Sequence, residues 1–77
     1  MKRKSKFSLT AVIQRSEKCF VALCLELDVV SQGKTVEEAR HNIAEAAELF
    51  LETASPAELK QRMHKEIYIS PLEVAVG

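Results

Sequence analysis

The chain of 77 residues is poor in two things that site chemistry uses: Asp28 is its single aspartate, and Gly33 and Gly77 are its two glycines. With so few glycines there is no glycine-rich loop to cradle a phosphate. The first apolar stretch, residues 7–13, carries no acid. A nuclease or hydrolase built on such a strand would need convergent carboxylates to hold metal ions, and these are not in view. Asp28 reads instead as a turn residue. Net charge is also missing. Eleven basic residues balance eleven acidic ones, so no overall field draws nucleic acid or a membrane surface. No apolar run approaches the ~20 residues of a membrane span. Residues 7–13 are too short and too interrupted by hydroxyls for a signal peptide, and a cytoplasmic location is expected.

Cysteine and histidine are equally scarce. Cys19 and Cys24 stand in one strand-like segment at a spacing that sends their side chains to opposite faces, so they cannot bridge within it. No second cysteine pair or nearby histidine completes a metal site, and both read as small buried thiols. His41 and His64 have no Ser, Cys or Asp at a spacing that makes a general base, and both read as surface residues. No catalytic residue, metal or cofactor is expected, and the chain is not expected to be an enzyme.

What is present is an ordinary globular composition, 47% apolar and 29% charged, in one short domain, residues 1–77. That size is near the lower limit for a single core, so a partner chain is expected to help bury apolar surface. Four of the first six residues are basic, and the reading is a flexible, solvated tail, with a weak phosphate-contacting arm as the alternative.

Periodicity then orders the elements. In residues 7–15, Phe7, Leu9, Ala11 and Ile13 share one face, the pattern of a strand with one buried side. Ser16, Glu17 and Lys18 make a hairpin break. Residues 19–25 are apolar on both faces, with Phe20, Ala22 and Cys24 on one side and Val21, Leu23 and Leu25 on the other. Residues 29–32 form a short third strand, closed by a turn at Gly33. Thr35 and Glu38 stand in capping-box spacing, each able to satisfy a backbone N–H at the start of a helix. That helix is predicted from Val36 to Thr53 by an apolar stripe of Val36, Ala39, Ile43, Ala46, Ala47 and Phe50. Ser55, Pro56 and Glu58 start a second, shorter helix that ends near Met63. Residues 66–76 read as a closing strand, broken in phase at Pro71, with Leu72, Val74 and Val76 on one side.

The resulting class is α+β, in the order β-β-β-α-(short α)-β. One helix can cover one face of such a sheet, and the apolar middle strand leaves Val21 and Leu23 on the other. Exposed apolar area of that kind marks an interface. The helix glutamates Glu37, Glu45, Glu48 and Glu52 offer a second surface, suited to a basic protein.

The strand around Phe20, Val21 and Ala22, the turn Ser31-Gln32-Gly33-x-Thr35, the pair Glu38-Ala39, and the helix with Ile43, Glu45, Ala46 and Leu49 to Leu51 together resemble the N-terminal domain of HicB antitoxins. The likeness covers most of the chain, with Gly33, Thr35, Glu38 and Ala39 as structural positions. It implies a truncated ribonuclease-H-like sheet of order 3-2-1-4 without catalytic carboxylates, and the last strand parallel to the first. It further implies a partner, HicA, a small basic mRNA-cleaving toxin whose active site the antitoxin covers, and self-association. The alternative is an orphan homo-oligomeric adaptor or structural protein with no toxin partner. Many family members carry a C-terminal operator-binding domain. Nothing in these 77 residues supplies one, so direct DNA binding is not expected.

Overall fold

A computed structural model describes residues 7–77. The expectation for the basic residues before Phe7 lies outside them. Three strands, β1 (Ala11–Arg15), β2 (Phe20–Cys24) and β3 (Val29–Gly33), precede two helices, α1 (Val36–Thr53) and α2 (Pro56–Met63). The sheet is antiparallel in the order β1-β2-β3, and the α+β class stands as predicted. The register pairs Ala11 with Cys24 and Arg15 with Phe20, then Phe20 with Gly33 and Cys24 with Val29. The first hairpin closes through Ser16 N–H to the Cys19 carbonyl at 2.7 Å, and the second through Asp28 N–H to the Cys24 carbonyl at 2.9 Å. Asp28 takes the left-handed conformation there, φ 56°, which a short polar side chain tolerates better than most.

The helix α1 spans the predicted residues because its buried side is spaced for it: Ala39, Ile43 and Ala47 are buried, and Ala46 and Phe50 pack against them. Burying a side chain the size of Ile43 contributes roughly 1.5–3 kcal/mol. At the N-terminus the Thr35 hydroxyl accepts the Glu38 N–H at 3.0 Å. The return half of the capping box is displaced by one residue, since Glu38 Oε1 accepts from the Lys34 N–H at 2.9 Å rather than from Thr35. The helix stops at Ala54 because Pro56 pushes the residue before it out of the helical region, leaving Ser55 extended. The freed Ser55 hydroxyl accepts the Glu58 N–H at 3.2 Å and starts α2.

Gly33 has a different purpose from the one expected. Its backbone is not in the left-handed region. A Cβ there would stand 2.4 Å from the Ala39 backbone nitrogen and 2.7 Å from the Glu38 carbonyl carbon, so its value is close approach between the end of β3 and the first turn of α1. Leu27 is a second correction. It looked like part of a polar break, yet it is the largest fully buried side chain, 1% exposed, and joins Ala22, Cys24, Ala39, Ile43 and Ala47 in the core.

The closing strand does not form. Residues 66–77 make no ladder, and Tyr68, Ile69, Leu72, Val74 and Val76 are all exposed. The position beside β1 that a fourth strand would take is empty of it. The reason is an anchor upstream. Lys65 and Arg62 are held at the β2–β3 turn by Asp28, and the chain leaves the body from there. The longest extent reaches 59 Å and the radius of gyration is 15.1 Å, against about 11 Å for a compact chain of this length.

Candidate functional site

Three surfaces come from this packing. The first is the sheet face turned away from α1. Val12, Leu23 and Val30 stand side by side across the three strands in that order, and Val30 is 61% exposed. Val21, the other sheet residue singled out by the sequence, is half-buried and sits between Gln14 and Gln32 on its neighbours. The open face is therefore apolar along one row and polar-flanked along the next, narrower than the alternation of β2 alone suggested. Cys19, expected to be buried, is only half-buried, with its Sγ 3.9 Å from Gln32 Oε1.

The second surface is the acidic side of α1. Glu37, Glu45, Glu48 and Glu52 are all exposed. The last three line a shallow depression with His41, Ala46 and Leu49, and no Lys or Arg belongs to its lining. His41 Nε2 lies 2.9 Å from Glu45 Oε1, one turn away. Leu49, 62% exposed, gives this acidic surface an apolar centre. Glu37 sits in the first turn of the helix, where the dipole favours a negative charge.

The third surface was not legible from periodicity. The helix packs chiefly on β3, less on β2 and least on β1, so a groove opens between β1 and α1. Phe7, Leu9, Ala11, Ile43, Ala44 and Ala47 give it an apolar floor, and Arg40 and Glu48 stand at its rim. The signal for it was present in the small residues Ala44 and Ala47 on the β1 side of the helix.

Polar chemistry concentrates at the sheet end where the second turn lies. Glu26 accepts from the Thr10 backbone N–H at 2.7 Å and the Thr10 hydroxyl at 2.8 Å. Burial works against its charge, but these donors outweigh it and hold the carboxyl below the usual range. Burial pushes the Cys24 thiol up, away from a reactive thiolate. Asp28 accepts from Lys65 Nζ at 2.7 Å and Arg62 at 3.0 Å, and Arg62 also donates to the Leu27 carbonyl at 3.2 Å. The Lys65 hydrogen bond and charge, with Arg62 behind them, lower the Asp28 carboxyl. Among the described residues no three His, Cys, Asp or Glu side chains gather as metal ligands, and no helix is long and apolar enough to cross a membrane.

No family model and no solved structure matches the chain. A UPF0150 protein of Helicobacter pylori (strain J99 / ATCC 700824) is 41% identical over 68 residues, which cover 87% of this chain and 94% of that protein. At that identity, across nearly the whole of both sequences, the chain belongs to the UPF0150 family, the HicB-like family.

Proposed function

We propose that this chain is a non-catalytic HicB-like module that binds a HicA-like mRNA-cleaving toxin in the cytoplasm and occludes its active site. The observation that carries the reading is membership of the HicB-like family across nearly the full domain. The acidic side of α1 supports it physically. Glu45, Glu48 and Glu52 surround exposed Leu49 with no basic residue among them, the composition that a basic partner with an apolar anchor would meet. Val21 and Leu23 on the open sheet face are the second contact region of the proposal. No residue in it acts on substrate; inhibition is by covering.

Co-expression with a HicA-like protein tests this. The expected result is rescue of growth and a complex that survives purification. Absence of both rescue and binding rejects the toxin-neutralising role. A second reading, an orphan homo-oligomeric adaptor, is favoured by the apolar row of Val12, Leu23 and Val30 and by the exposed C-terminal residues. A clean monomer at micromolar concentration would reject that one.

A further inference from the structure

The unpaired C-terminal segment and the groove beside β1 fit each other. From residues 66–77, we infer that 72–76 add as a fourth strand to the outer edge of β1 in a second copy of this chain, reciprocally, with Leu72, Val74 and Val76 seated in the groove between β1 and α1. The proposal does not rest on the toxin reading.

The strand half of the match is in the residues. Leu72, Val74 and Val76 share one parity, and Glu73 and Ala75 share the other, the alternation of a strand with one buried side. Five residues follow Pro71 up to Val76, and β1 is also five residues long. Pro71, which lacks an N–H, falls just before the pairing stretch, where it removes no ladder bond. Yet Leu72, Val74 and Val76 are 85%, 72% and 92% exposed. A strand so patterned and so exposed is a template for pairing.

The groove half is in the sheet. A three-stranded sheet has two edges, and they are not equivalent here. The β3 edge lies under the main packing of α1, and its Gln32 carbonyl already accepts from Asn42 Nδ2 at 2.7 Å. The β1 edge, through Ala11, Val12 and Ile13, has no lysine, proline or bulge to discourage an incoming strand, and β1 pairs with β2 alone. Beside it the floor of the groove is Phe7, Leu9, Ala11, Ile43 and Ala47. Residues of one parity on an added strand would cover that floor.

A second copy is the occupant because each chain carries one of each part. The Asp28 anchor on Lys65 sends residues 66–77 away from their own body, giving the 59 Å extent. One copy has a strand without an edge and an edge without a strand. Two copies related by a two-fold axis satisfy both at once and leave neither open, which closes the assembly. The exchange also answers the small core, where Leu27 is the single large side chain that is fully buried.

The test uses the full chain. Light scattering at micromolar concentration should give twice the 8.6 kDa chain mass. In a mixture of isotope-labelled and unlabelled protein, filtered nuclear Overhauser spectra should connect Val74 methyl groups of one copy to Leu9 and Ile43 of the other. Val74→Asp should weaken association by about 30-fold or more, the effect of losing a buried anchor. Its circular dichroism should stay that of a folded chain, since Val74 touches none of the core in one copy. Glu73→Ala, on the opposite parity, should leave association unchanged. A monomer, whether its tail contacts its own β1 or nothing, overturns the proposal. So does a dimer that Val74→Asp leaves intact.

Discussion

A methyl group at position 33 has nowhere to go. The nearest atoms belong to the backbone of Glu38 and Ala39, which cannot swing aside as a side chain would. Gly33→Ala should therefore cost about 1–3 kcal/mol, as overpacking does, and lower the urea midpoint; an unchanged midpoint would show that α1 can slide off β3 freely. Two carboxylates make the acid side of stability legible at the same scale. Glu26 and Asp28 both have folded-state values depressed below their unfolded ones. Each therefore adds stability above the ordinary carboxylate range, and that contribution is lost as pH falls through its depressed value. Glu26→Gln should flatten part of the acid limb of a urea-midpoint profile. An acid limb identical to that of the parent would mean that the Thr10 donors do not hold the charge in solution. The sequence could not indicate the Thr10–Glu26 pair, because the two residues are sixteen positions apart and meet only once β1 and β2 are in register.

Among elements, the local signals carried well and the long-range ones did not. The helix α1 was readable to its ends because every cue for it lies within a few residues: Thr35 and Glu38 at the start, the buried spacing of Ala39, Ile43 and Ala47, and Pro56 after the stop. The second helix was readable as a helix for the same reason. What holds it in place was not, since α2 buries none of its residues outright. It is held by Arg62 and Lys65, which reach Asp28 across more than thirty positions, and by the Arg62 guanidinium 5.5 Å from the centre of the Phe50 ring. Asp28→Asn keeps a residue that tolerates the left-handed backbone while removing the charge. It should raise amide hydrogen exchange across α2 and leave the sheet amides as protected as before. Equal exchange in both proteins would assign the docking to Met63 and the Phe50 ring instead.

At the scale of the whole molecule, the missing fourth strand and the acidic helix side place two surfaces apart, and this makes their functions separable. Parity alone identified residues 72–76 as strand-like but could not say which edge they join, because pairing partners depend on where α2 delivers the chain. The open sheet face was overestimated for a related reason: the pattern of β2 was visible, but its flanking Gln14 and Gln32 become neighbours of Val21 only through the register. Glu48 borders both the groove and the acidic depression, whereas Glu45 and Glu52 belong to the depression alone. The double substitution Glu45→Lys and Glu52→Lys should therefore slow association with a basic toxin partner by about tenfold or more at low salt. The difference from the parent should shrink as salt is added, because exposed charges are screened within about 10 Å at moderate ionic strength. The same variant should keep the mass of the parent by light scattering, since neither residue lines the groove where exchange is proposed. Stopped-flow association rates over a salt series, measured beside that mass, separate the two surfaces. A rate that does not respond to the charge reversal would move the toxin contact off α1 and onto the row of Val12, Leu23 and Val30.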